Sequence, residues 1–384
     1  MRQRHVPCLA FVFGLAALAA AASPAVAMHC AGGGPAANSA APPGPAAAAT
    51  AYLEARAAAV TAADPGAALA PWLASGAAPA AHERTVARGE ARRAAELGHL
   101  LDAVTGQVTV ADVAVAPGGA SAKVRAHVVT TTSWHAATME PSRESSGIDH
   151  VVSLALVNGA WKVTGDVYAD DQVPAFLEAA GASQGVVRRA ARRLEQASQR
   201  TPVGPVRAAW RVRARGRRYA DIITYDRDAA RDYADRYALS YNPAYVAFGA
   251  DCANFASQSA RAGSMPVTSG TVDSGWWYDR NGTSGTGDDK YSMSWINVTR
   301  QNSFWNGRRA DWVASINDLG RGDFVYYDWS GDGVWDHAAV VTGTNAAGQK
   351  VVDAHTTDYL HAFWKMGYSS TKYRFARVRS QWVV

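Results

Sequence analysis

Asp251-Cys252-Ala253-Asn254-Phe255-Ala256-Ser257-Gln258 is the stretch on which the reading of this chain turns. It follows Tyr245-Val246-Ala247-Phe248-Gly249-Ala250 and opens a helix expected to run to about Gly263, a residue suited to the position just past a helix end. Cys252 then falls in the first turn. There the positive end of the helix dipole lowers a thiol's pKa, and free backbone N–H groups can hold an oxyanion. Much later, Asp336-His337-Ala338-Ala339-Val340-Val341 begins a strand with an imidazole. A thiol at a helix start and an imidazole at a strand start are the two parts a cysteine hydrolase needs. The competing reading of Cys252 is a small buried hydrophobe; the adjacent Asp251 and Asn254, and the export signal described below, favour the chemical one.

The neighbouring segments give this pair a frame. Asp226 to Ala238 patterns as an amphipathic helix with acids in its first turn, ended by Asn242-Pro243. Asp323 to Tyr327, His337 to Thr342 and Lys350 to His355 pattern as strands, and Asn345-Ala346-Ala347-Gly348 makes a hairpin of the last two. Asp353 and His355 share one face of the final strand by its two-residue period. Centring the turn on the loop sets His355 about opposite His337 and Asp353 one step diagonal, so either could orient the imidazole through its second nitrogen.

Tyr241-Asn242-Pro243-Ala244-Tyr245, Asp251 to Gln258, Asp336 to Gly343 and Ala354-His355-Thr356-Thr357 resemble the bacterial putative amidase domain family. That family is similar to the NlpC-type and CHAP cell-wall peptidases and amidases of the papain-like class. The resemblance covers about residues 221 to 384, and the run around Cys252 is its most specific part. It implies a papain-like fold in which Cys252 is the nucleophile, His337 is general base and then general acid, and a polar residue on the next strand orients the imidazole. The NlpC-type pattern aligns Asp353 with that third role, whereas the putative amidase pattern stresses His355. The segment between Cys252 and His337 is longer and more aromatic than in minimal NlpC-type domains, so groove shape and substrate do not carry over.

The rest of the chain bounds the setting. Arg2 and Arg4, an apolar run from Val6 to about Ala22, and Ala25-Val26-Ala27 follow the plan of a secretory signal peptide cut after Ala27. Cys30 lacks the preceding small apolar residues of a lipid-anchor site, and no later run approaches about 20 apolar residues, so no stable membrane insertion is expected. Cys8 leaves with the leader, and the two remaining cysteines make no stapled framework. The net charge of +5 falls by two once Arg2 and Arg4 are removed, too little for a nucleic-acid partner.

Residues 28–49, rich in Ala, Gly and Pro, pattern as a tether. Residues 50–180 pattern as helices followed by a strand meander with an Asn158-Gly159 hairpin turn, a small α+β accessory domain. His82, His99, His127, His135 and His150 lie in it without metal-ligand spacing. Residues 181–220 are crowded with arginines and pattern as a solvated linker broken at Pro202 and Pro205, able to make weak polyanion contacts.

From 221 the aromatic content rises: nine of the 13 tryptophans lie there, and Trp276, Trp277 and Tyr245 are the candidates for stacking on substrate. Asp328-Trp329-Ser330-Gly331-Asp332-Gly333 resembles the start of a calcium loop, but Ala339 stands where the bidentate Glu belongs, which favours a plain Asp-Gly turn. No metal or cofactor is expected. The expectation is a secreted or wall-associated, monomeric α+β protein: a helix-plus-antiparallel-sheet domain joined to a papain-like hydrolase domain at 221–384. Its substrate would be an amide, foremost in cell-wall glycopeptide. The alternatives are a non-catalytic wall-binding module and an acyl or peptidyl transferase on the same fold.

Overall fold

The computed structural model describes residues 43–136, 141–198, 222–280 and 285–383. The expected signal peptide, most of the tether and the arginines of 199–221 lie outside the described residues. The first helix, α1 (Pro45–Ala58), begins inside the range expected as tether, because Pro45 sits at N1, where a missing N–H costs nothing. Tyr52, Leu53 and Ala49 make its buried stripe. It is followed by α2 (Pro65–Leu69), capped by Asp64, and α3 (Ala78–Glu96). These pack on an antiparallel meander of β1 (Leu100–Val115), β2 (Ser121–His135), β3 (Ser142–Val157) and β4 (Ala160–Val167). Val124, Ala126 and Val128 alternate inward against Val152 and Leu154, as a half-buried sheet requires. The Asn158-Gly159 turn has positive φ at both residues, the conformation that two-residue hairpins favour.

Two helices come next, α4 (Val173–Ala179) and α5 (Gln184–Ser198). The second occupies the first half of the stretch expected as linker. Val187, Ala191 and Leu194 recur at helical spacing and are buried, while Arg188, Arg189, Arg192 and Arg193 face solvent. One apolar stripe is enough to hold a helix on a core, however many charges its other face carries.

The C-terminal part contributes β5 (Ile222–Thr224), α6 (Arg227–Tyr237), α7 (Cys252–Ala262), β6 (Tyr278–Asp279), β7 (Lys290–Tyr291), α8 (Met293–Ile296), α9 (Val298–Trp305) and β8 (Ala310–Val313). The chain closes with β9 (Phe324–Asp328), β10 (His337–Thr344), β11 (Lys350–Ala354), β12 (Asp358–Phe363), β13 (Lys372–Val378) and β14 (Gln381–Val383). The main sheet runs β1-β2-β3-β12-β11-β10-β9-β13-β8, with β4 on β3. The fold is thus mixed α and β around one large antiparallel sheet.

The meander and the C-terminal strands do not stand apart as separate domains. β12 pairs with β3 through Asp358–Gly147, Tyr359–Ser146 and Leu360–Ser145, and residues 42–384 form one compact unit. Gly147 permits this seam: a Cβ there would lie 3.1 Å from the His127 ring and 3.2 Å from the Asp358 side chain. The seam is invisible to local patterning because pairing across about 200 residues leaves no periodic trace.

Both faces of the C-terminal sheet are covered. On one, α6, α7 and the aromatic insertion bury Ala338, Val340, Phe324 and Tyr326. On the other, Val325, Tyr327, Ala339, Val341, Val352 and Ala354 pack with Tyr359, Met366 and Leu194 of α5. Each fully buried aliphatic or aromatic side chain on these faces contributes roughly 1.5–3 kcal/mol, so the two layers account for most of the favourable burial here.

Candidate active site

The first nine residues of α7, Cys252 to Ala260, are all buried, although four of them carry polar side chains that need partners. Gln258 accepts from the Tyr233 hydroxyl of α6 and Ser259 donates to the Phe255 carbonyl oxygen, while Asn254 and Ser257 find partners in the aromatic insertion. Ser257 Oγ accepts from Trp276 Nε1 at 3.0 Å and from Gln301 Nε2 at 2.7 Å, and Asn254 Oδ1 accepts from Trp295 Nε1 at 3.0 Å. Tyr326 completes the chain by donating to Gln301 Oε1 at 3.0 Å. The small polar residues after Cys252 are thus a ladder of bonds that fixes α7 in rotation and depth.

This corrects the expectation for the tryptophans. Trp276 is 0% and Trp277 6% exposed. Trp276 stacks on Trp295 at 4.7 Å, and Trp277 Nε1 is spent on the Thr271 and Ser274 carbonyls. Neither has a free face for substrate. Tyr245 is half-buried, with its ring against Tyr278 at 4.9 Å, and keeps an accessible edge. At the Asp328 turn the carboxylate accepts from the N–H groups of Gly331, Asp332 and Gly333 and so closes the loop.

At the N-terminus of α7 the carboxylate of Asp251 is shared. Oδ1 accepts from Phe248 N at 3.0 Å and Asn254 Nδ2 at 2.9 Å; Oδ2 lies 2.8 Å from His355 Nδ1. His355 Nε2 lies 2.8 Å from the Tyr237 carbonyl oxygen. Both neighbours of this ring are acceptors, so both ring nitrogens carry protons and His355 is an imidazolium. Burial pulls its pKa down, but the Asp251 bond and charge outweigh burial and raise it. The ring is clamped between Phe255 at 4.1 Å and Tyr241 at 4.3 Å. His355 therefore anchors α7 to α6 and does not bond to His337.

Thr356 supplies a second anchor. Its hydroxyl accepts from the backbone N–H of Asp251 at 2.9 Å and of Cys252 at 3.2 Å. It does so with a φ of 91°, in a region β-branched residues avoid. The N–H of Cys252, expected to be free for an oxyanion, is occupied by this hydroxyl.

Cys252 is 2% exposed, and its thiol donates to the Asp336 carbonyl oxygen at 3.9 Å. Burial pushes its pKa up to about 12, against the lowering contributions of the Ala338 N–H and the Thr356 hydroxyl. In this state desolvation overrides the helix dipole, and Cys252 is a thiol, not the thiolate that its place in the helix suggests.

The thiol thus rests against Asp336 and Ala338, the residues on either side of His337. The His337 ring itself turns to the opposite layer, 5.5 Å from the rings of both Trp329 and Tyr327. Its Nδ1 is 3.7 Å from Asp171 Oδ2, too long for a hydrogen bond, and its Nε2 and Asp171 Oδ2 have no hydrogen-bond partner. Burial lowers the His337 pKa to about 3 and raises that of Asp171 well above the carboxylate range. Cys252 is thus a thiol and His337 a neutral imidazole, turned to opposite layers with no hydrogen bond between them.

Asp353 lies elsewhere. Asp353 pairs with Val340, three residues along from His337, where centring the turn on its loop also sets it. Its Oδ1 accepts from His361 N at 2.7 Å and Thr342 Oγ1 at 3.2 Å. Neither sequence candidate for the orienting role reaches His337; Asp171, on the loop between β4 and α4, does. Sequence reasoning missed Asp171, whose only signal was an Asp170-Asp171 pair just past the meander, and missed Thr356 although it stands in the quoted Ala354-His355-Thr356 run.

Residues 224–378 match the family model of a "Putative amidase domain". The match contains Cys252, His337, Asp353 and His355, and its family points to hydrolysis of an amide; Asp171 lies outside it. Among curated proteins, the uncharacterized protein YhbB of Bacillus subtilis (strain 168) is 33% identical over 151 residues, 38% of this chain. The chain spans about half the length of that relative, 46% of it. Among solved structures, the intermembrane space region of the chloroplast protein ARC6 aligns with a TM-score of 0.25 and 16% identity, over 33% of this chain and 98% of that one.

Proposed function

We propose that this protein is an exported cysteine hydrolase that cleaves an amide bond, foremost in peptidoglycan, on a papain-like arrangement of α7 against β10. The observation that carries the reading is the placement of Cys252 at the start of a rigidly bonded helix, with its sulfur held against the strand that begins at His337. In the reaction His337 takes the thiol proton, Sγ attacks the substrate carbonyl carbon, and the imidazolium returns the proton to the leaving amine. Water, deprotonated by His337, then releases the acid from the thioester.

Asp171 is assigned the positioning role: once ionised, its carboxylate holds the Nδ1–H of His337 and stabilises the imidazolium. The buried, neutral state described above is a resting one. Turnover requires His337 to swing toward Sγ and Thr356 to release the Cys252 N–H, and substrate entry supplies the occasion for both.

The test is incubation of the protein and its Cys252→Ala variant with purified peptidoglycan under reducing conditions, with mass spectrometry of the soluble products. Fragments released by the parent alone support the reading and identify the bond. Equal release by both removes the thiol mechanism. Added amines that divert the product from the free acid point instead to a transferase. The enclosure of the thiol favours a second reading, a wall-binding module without turnover. That reading predicts a Cys252 unreactive to iodoacetamide even with peptidoglycan present.

A further inference from the structure

Asp353 leaves an unexplained atom. The residue is 0% exposed and its Oδ2 has no N–H or hydroxyl donor; the Asp235 carboxylate is within bonding reach, but two carboxylates bond only by sharing a proton. Such orphans are rare in folded proteins and call for an account. Around it, three elements converge: Asp235 from α6, Asp353 from β11 and His361 from β12 offer ligand atoms that all lie within 4.8 Å of one another. His361 Nε2 and Asp235 Oδ1 are 3.0 Å apart. Two ligands bound to one transition-metal ion at about 2.0–2.2 Å stand roughly 3–3.5 Å from each other, so this spacing suits shared coordination. His361 takes part from a left-handed backbone conformation, φ 57°.

We propose that Asp235, Asp353 and His361 bind a divalent transition-metal ion of the zinc class. The donor set selects the class: an imidazole nitrogen with two carboxylate oxygens suits zinc or manganese, whereas calcium takes six to eight oxygens. Asp235 and His361 are half-exposed and line a groove with Arg231, Thr342 and Lys350, which gives the ion a path in and leaves a coordination position facing solvent. Arg231, with its Nε 3.7 Å from Asp235 Oδ2, competes for that carboxylate, and the ion must displace it.

The site is structural in this chain. Asp235 lies two residues before Tyr237, and Asp353 two residues before His355; Tyr237 and His355 bond each other, and His355 in turn bonds Asp251 at the N-terminus of α7. An ion joining α6, β11 and β12 braces the platform under Cys252 without touching the reacting atoms. This inference stands whether or not the chain hydrolyses amides.

The experiment uses the full exported chain stripped with chelator and dialysed, then titrated with Zn2+, Mn2+ and Ca2+ separately by calorimetry, with elemental analysis after gel filtration and thermal melts in parallel. One retained equivalent of Zn2+ per chain and a melting temperature raised by several degrees are expected. Asp353→Asn and His361→Ala should each weaken binding by at least about 100-fold, and Cys252→Ala should leave it unchanged. The proposal is overturned if the parent retains no ion, or if both site variants retain it as the parent does. It is also overturned if Asp353→Asn raises the melting temperature while Zn2+ shifts neither protein, because the two carboxylates then simply share a proton.

Discussion

The molecule contains two buried His–Asp pairs a few residues from one thiol, and they behave in opposite ways. His355 and His337 are equally withdrawn from water, each 2% exposed. His355 sits 2.8 Å from Asp251, has both nitrogens bonded and is charged. His337 sits 3.7 Å from Asp171, has an orphaned Nε2 and is neutral. Satisfied hydrogen bonding offsets the desolvation of the first pair, while nothing offsets it in the second. One pair is a rivet. The other is left unbonded, and burial alone sets its proton affinity.

The contrast can be broken by mutation. The largest expected effect is on turnover: Cys252→Ala should lower kcat by at least ~10⁴-fold in the peptidoglycan assay while the melting temperature stays near that of the parent. Next, His355→Ala should destabilise the fold by about 3–5 kcal/mol in denaturant titrations, because it strands the Asp251 charge beneath α7. The same change at His337, which has no bonded partner, should cost markedly less. A comparable loss in both variants would erase the distinction.

Asp171→Asn sharpens the unbonded pair. It should lower kcat on the order of 10²- to 10⁴-fold with KM little changed and the alkaline side of the kcat profile displaced, and without lowering the melting temperature. A fall in stability with kcat intact would make Asp171 structural.

The smallest effect is in pH dependence. The raised His355 pKa means its pair contributes fully below the unfolded value of about 6.5 and is lost as pH rises through the folded value, so the penalty of His355→Gln should shrink in alkali. His337, held at about 3, has the opposite sign: its neutral burial is free of penalty above about 6.5 and costs increasingly as pH falls toward 3. His337→Gln should therefore gain on the parent in acid melts, and melts from pH 4 to 9 check both signs.

Much of the frame was legible residue by residue. The helix after Asp251, the strand from His337, the Asn158-Gly159 turn and the helix-then-meander order all rest on local period and turn chemistry, which act over a few residues. Where the Asp353 carboxylate goes was not legible, because its partners His361 and Thr342 are selected by packing through space and not by strand period. Helix α5 was obscured by its arginines, although Val187, Ala191 and Leu194 carried the spacing that forms it.

The sequence alone determined which chemical groups this chain has to work with: one thiol at a helix start, one imidazole at a strand start, and the acids and aromatics around them. It did so because helix phase and strand period depend on neighbours. The tertiary structure decided which of those groups meet. The seam between β3 and β12 brings the segment after β4 close enough for Asp171 to face His337, Thr356 folds onto the Cys252 N–H, and burial holds as a thiol the group that its place in the helix would make a thiolate. Those outcomes depend on distances through space and on the exclusion of water, quantities to which no local pattern of residues responds.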